Sequence, residues 1–166
     1  ILLKRYNENN PNTTLDIEEK QLVFEILVEM SRDSEADVVG QVKRFVIESD
    51  EKINWPMKVL QRLLPEDEYI DFIVEILQSC DTEYQRTVEK KQELMLRATE
   101  LKDTDLAHQI ARFVSDDNET IRFLAFDAAL GEDADDVLSE AVFEQLLEEE
   151  SLRIHHAWGL NGAITE

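Results

Sequence analysis

The sequence contains few glycines and prolines, which form tight turns, and almost no cysteine, which forms covalent cross-links. Its 166 residues include four glycines, three prolines and one cysteine. So few turn-forming residues argue against an all-β protein, and one cysteine excludes an intramolecular disulfide and a cysteine-rich metal site. No run approaches the roughly 18 uninterrupted apolar residues of a membrane span, and no basic-then-apolar signal pattern is present. We expect a cytoplasmic protein that does not bind membranes.

Positive charge is also scarce. The chain carries 38 acidic and 17 basic residues, a net charge of −21, and the excess runs through both halves. Such a field repels phosphate backbones and attracts basic partners. We therefore expect no nucleic-acid binding and a basic protein partner. Solubility, or adaptation to a salty cell interior, is the alternative reason for the acidity.

Apolar residues recur at helical spacing. Tyr69, Ile73, Ile76 and Leu77, for example, fall on one helix face. Asp16, three residues before another acidic residue, has the pattern of a helix cap. The connections are short, which favours antiparallel neighbours. The pattern predicts roughly eight helices, at about 17–31, 35–48, 54–64, 66–80, 87–101, 104–115, 119–130 and 135–147. A further helix at about 150–161 would make nine.

Parts of the sequence repeat. Glu19-Lys20-Gln21 opens one apolar helix and Lys90-Lys91-Gln92 opens another, and each follows a polar loop. The first helices of the predicted pairs begin about 30 to 40 residues apart, which is the length of a two-helix repeat.

One segment resembles a known repeat family. Residues 116–125 (Asp-Asp-Asn-Glu-Thr-Ile-Arg-Phe-Leu-Ala) are similar to the turn and second helix of a HEAT repeat, with an acidic turn, a hydrophobic-Arg pair and an alanine. Leu152-Arg153 is a second such pair, with His156 where a small residue is expected. The sequence resembles the HEAT repeat pattern clearly over residues 103–162 and only in a degenerate form over residues 34–101.

The resemblance implies an all-α fold, a right-handed α-solenoid of about four stacked antiparallel helix pairs in a single domain, 1–166. Ile1 to Tyr6 reads as the end of a helix whose start is missing, so we expect a fragment of a longer solenoid. The repeats implied are about 1–31 (partial), 34–64, 66–101, 103–130 and 135–162.

The sequence shows no cluster of residues that predicts catalysis or metal binding. His155 and His156 point about 100° apart on a helix, so they cannot readily share a metal. The many acidic pairs fit helix capping, and the Asn-x-Thr patterns at Asn12 and Asn118 fit turn chemistry. Cys80 stands in an apolar run and is expected to be a buried structural thiol. We expect no enzyme activity, catalytic residue, cofactor or metal.

These observations favour a protein–protein interaction scaffold or adaptor that binds a basic segment along its second helices. The resemblance implies that Arg122 and Arg153 link neighbouring repeats. Two alternatives stay open: a HEAT-like enzyme of the bilin lyase-like type, with polar groups around the adjacent histidines, and a structural subunit of a larger assembly. Phenylalanines expected in the core are Phe24, Phe45, Phe72, Phe113 and Phe143. The candidate partner-binding residues are Arg97, Phe123, Phe126 and Trp158.

Overall fold

The computed structural model describes Leu3, Glu8 and residues 11–33, 35–50, 52–130 and 136–157, with side chains from residue 140 onward in the last range. All regular structure in these ranges is helical, with no strand. The predicted helix end at 1–6 lies outside them, apart from Leu3.

The described chain forms nine α-helices and one short 3₁₀ helix at Arg112–Ser115. The α-helices are α1 (Thr13–Met30), α2 (Val38–Glu48), α3 (Asn54–Leu63), α4 (Glu66–Ser79), α5 (Glu89–Leu101), α6 (Thr104–Ala111), α7 (Glu119–Ala129), α8 (Asp136–Glu148) and α9 (Leu152–Ala157).

The all-helical prediction is confirmed, and the helix starts differ where a polar side chain caps the backbone. Helix α1 begins at Thr13 because Asn12 Oδ1 accepts the N–H groups of Thr14 and Leu15, both at 3.2 Å. Asp16 therefore lies in the first turn and is not the cap. Helix α2 begins later than predicted because Asp37 is its cap and accepts the Gly40 N–H at 2.9 Å.

The chain divides into two compact units, residues 1–72 and 73–166. In the first unit α1 and α2 pack against α3. Buried side chains of this unit include Val42, Val46, Ile53, Met57 and Leu60. Each contributes about 1.5–3 kcal/mol by leaving water.

In the second unit α5, α6 and α7 pack against one another, and α8 packs against α6 and α7. The 3₁₀ helix joins this core through Phe113 and Val114. Apolar residues buried here include Leu94, Met95, Leu106, Ile110, Ile121, Ala125, Phe126 and Ile154.

The phenylalanines expected in the core divide into three groups. Phe72 and Phe113 are buried as predicted, whereas Phe24 and Phe45 are half-buried. The prediction for Phe143 is wrong, because this residue is 46% exposed to solvent. Helix α8 turns Val142 and Leu146 inward instead, which leaves Phe143 on the outer side.

Cys80, expected to be a buried structural thiol, is half-buried. Burial raises the pKa of its thiol above the ordinary value, although the nearby charges of Lys91, Lys90 and Arg112 act in the opposite direction. The thiol is therefore a weak nucleophile at neutral pH.

None of the helices among the described residues combines the length and the apolarity that crossing a bilayer requires.

Candidate protein-binding surface

A buried ion pair fixes the turn that precedes α7. Lys91 Nζ donates to Asp116 Oδ2 at 2.7 Å, with the two side chains 2% and 1% exposed. The same ammonium donates to the Asp81 carbonyl at 2.7 Å. Asp116 Oδ1 in turn accepts the Asn118 N–H at 2.9 Å. Asp116, the acidic residue of this turn, is thus held by a lysine of α5.

Arg122 of α7 connects this turn to the end of α8. Its Nε and Nη2 donate to the two carboxylate oxygens of Glu149 at 2.9 and 3.2 Å. Its Nη1 donates to the carbonyls of Asp116 and Asp117 at 2.9 and 3.0 Å. Such a two-point contact is stronger and more directional than a lysine contact. Arg122 therefore positions the end of α8 against α7.

Glu149 is held as a carboxylate. Burial acts to raise its pKa, but the hydrogen bonds from Arg122 and from backbone N–H groups, with the guanidinium charge, outweigh it. The pKa of Glu149 consequently lies below its ordinary value, and the contact with Arg122 is present at neutral pH.

The outer face of α8 combines apolar and acidic side chains. Phe143 and Leu147, four residues apart, are 46% and 51% exposed. Glu140, Glu144 and Glu148 are exposed beside them on the same side of the helix. We call these five residues the α8 face. Large apolar groups left in water within an acidic rim are typical of an interaction surface.

The outer side of α1 has a similar composition. Leu15 and Leu22 are 50% and 61% exposed. They are seven residues apart, and Glu18, Glu25 and Glu29 are exposed along the same side. The pairing of apolar and acidic groups therefore occurs in both units.

The predicted partner-binding residues lie in different environments. Phe126 is 1% exposed, in the core of the second unit. Arg97 is also buried, and its Nε donates to Glu93 Oε1 at 2.9 Å. Phe123 is half-buried, with the Arg153 guanidinium 5.1 Å from its ring centre.

Trp158 lies outside the described residues. Burial gives Arg97 and Phe126 packing roles that leave little surface for a partner, so the α8 face is the better supported surface. Sequence reasoning missed it because Phe143 was assigned to the core. The available signal was the i, i+4 spacing of Val142 and Leu146, which accounts for the inner side of α8 without Phe143.

The chain matches no protein-family model, no curated protein and no solved structure. Among the described residues, no three His, Cys, Asp or Glu side chains converge as metal ligands. His155 is buried and His156 is exposed, so the two do not share a site.

Proposed function

We propose that this chain is a protein-interaction module that binds a basic, amphipathic segment of a partner on the α8 face. The observation that carries the proposal is the exposed pair Phe143 and Leu147 within three exposed glutamates. A partner helix with apolar residues at i, i+3, i+4 and i+7 and basic flanks has the complementary pattern.

The two kinds of side chain have different roles in this proposal. Burying the remaining exposed surface of Phe143 and Leu147 contributes about 1 kcal/mol each. Glu140, Glu144 and Glu148 attract the partner and fix its orientation, and salt screens that contribution. Affinity should therefore fall as salt rises without disappearing.

The architecture forms part of the proposal. We infer a right-handed HEAT-like solenoid from the motif at 116–125, and three contacts support repetition. Lys20 and Lys91 are both buried, and each donates to a carbonyl of the preceding loop, that of Glu8 or of Asp81. Arg122 links α7 to Glu149. A cytoplasmic location stays a prediction.

A designed peptide tests the proposal. The probe is a labelled helical peptide of about 18 residues, with leucines at i, i+3, i+4 and i+7 and lysines elsewhere; a scrambled peptide of the same composition is its control. Fluorescence anisotropy measures affinity at low and high salt. F143A/L147A should weaken binding roughly tenfold or more at both salts. E140Q/E144Q/E148Q should weaken it mainly at low salt.

A matched variant separates a site from bulk charge. Glu66, Asp67 and Glu68 are exposed in the first turn of α4. E66Q/D67N/E68Q removes the same three charges and should change affinity less than about twofold. If this control weakens binding as much as the α8 charge variant does, the interaction is nonspecific and the proposal is wrong. Equal binding of the scrambled peptide contradicts it as well.

A further inference from the structure

The first unit contains a groove lined by aromatic, amide and cationic side chains. It has a volume of about 510 Å³ and opens to solvent beside α1 and α3. Its lining combines two aromatic rings, two amides and two cations: Phe24, Trp55, Gln21, Gln61, Lys58 and Arg62.

The cations belong to a locally basic stretch. Residues 52–65 contain Lys52, Lys58 and Arg62 and no acidic residue, in a chain with 38 acidic residues. Lys58 Nζ lies 4.3 Å from the centre of the Trp55 ring, which keeps its charge at the groove. The nearby carboxylate of Glu25 accepts a hydrogen bond from Gln21 Nε2 at 2.7 Å.

The spacing of the cations indicates the shape of the occupant. Lys58 and Arg62 are one helical turn apart on α3, with Cβ atoms roughly 6 Å apart. Carboxylates at i and i+4 of another helix have the same spacing. The half-buried rings of Phe24 and Trp55 add apolar surface to the same lining. Because the groove is open, it can receive a chain segment.

We propose that this groove docks an acidic amphipathic helix of a partner protein. An apolar side chain of that helix covers Phe24 and Trp55, and two carboxylates one turn apart pair with Lys58 and Arg62. Charge complementarity selects this occupant, since a basic helix would meet two cations of its own sign. The proposal is independent of the α8 face, which takes a partner of opposite charge.

The probe is a peptide with the sequence of residues 136–150 of this chain, which has the required pattern: Glu140, Phe143, Glu144, Leu147 and Glu148. A neutral lactam bridge in place of the side chains at 141 and 145, away from that face, keeps it helical. Binding to the whole chain is measured by anisotropy, and by Trp55 fluorescence in a Trp158→Phe background, because the chain has two tryptophans.

The expected result is saturable binding with a change in Trp55 emission. K58E/R62E should weaken it at least tenfold, whereas Lys52→Glu, an exposed cation outside the lining, should change it less than twofold. A variant of the peptide with every glutamate replaced by glutamine is then tested on the wild-type chain. Its loss of affinity should be similar to the loss that K58E/R62E causes for the original peptide. Thermal melts followed by circular dichroism verify that each variant is folded. If the charge reversal in K58E/R62E unfolds the chain, K58Q/R62Q replaces it as the test variant.

Three outcomes overturn the proposal: no binding by the wild-type chain, equal weakening by Lys52→Glu, or undiminished binding of the glutamine peptide.

Discussion

The buried pair of Lys91 and Asp116 gives a prediction whose magnitude follows from its surroundings. Lys91→Met removes the ammonium but keeps most of the packing volume. Asp116 then keeps one bond from the Asn118 N–H and loses its countercharge while 1% exposed. The Asp81 carbonyl loses a donor as well. Removing one partner of a buried pair costs about 3–5 kcal/mol.

The double variant distinguishes a specific pair from general disruption. K91M/D116N removes both charges of this buried pair, and the Asn side chain at position 116 can still accept from the Asn118 N–H. We expect it to lose less than the sum of the two single variants, with a coupling of about 2 kcal/mol. Lys52→Met, at an exposed lysine, should change stability by less than about 0.5 kcal/mol.

The assay is urea unfolding followed by circular dichroism, combined with amide hydrogen exchange. Because the chain has two compact units, hydrogen exchange at residues 116–122 assigns the loss to the second unit. A loss below about 1 kcal/mol in Lys91→Met, or additive effects in the double variant, would refute the reasoning.

Other predictions concern the ends of helices. Glu149→Gln should cost about 1–2 kcal/mol at pH 7, because it weakens the contact with Arg122. The folded-state pKa of Glu149 lies below its ordinary value. This stabilisation is therefore present above the ordinary pKa and is lost as pH falls through the folded-state pKa, so the melting temperatures of variant and wild type should converge in that acid range. Lys102→Gly should stabilise the chain by about 0.5–1 kcal/mol in urea unfolding, because Lys102 ends α5 with φ of 51°, and a loss of stability would contradict this. Asn118→Ala should cost about 1 kcal/mol by removing the cap of α7, whereas Asn118→Ser should restore most of it.

The helices could be predicted from sequence because their signals are local. Spacing of apolar residues determines which side of each helix is buried, and turn residues limit its length. The start of α1 was misplaced because Asp16 and Asn12 both have the chemistry of a cap, and only the backbone geometry distinguishes them. The Asn-x-Thr patterns at Asn12 and Asn118 are confirmed as turn chemistry, since both asparagines cap helices.

The interaction surface was harder to predict because exposure depends on packing between distant segments. Phe126 and Phe143 are both phenylalanines within predicted helices, yet the first is buried and the second is exposed. The difference arises from which side of α7 and of α8 meets its neighbours. The buried lysines show the same limit: the similar openings at residues 19–21 and 90–92 suggested a repeat, but not the burial of Lys20 and Lys91.

Photo-crosslinking at position 143 in the native cell tests the α8 face most directly. Phe143→p-benzoylphenylalanine places the reactive group on that face, and Tyr84→p-benzoylphenylalanine, at an exposed aromatic of the loop before α5, is the control. The account predicts a discrete partner crosslinked from position 143 only, through a segment rich in Lys and Arg, and its loss in an E140Q/E144Q/E148Q background. The same products from both positions, or a contact segment without basic residues, would contradict it.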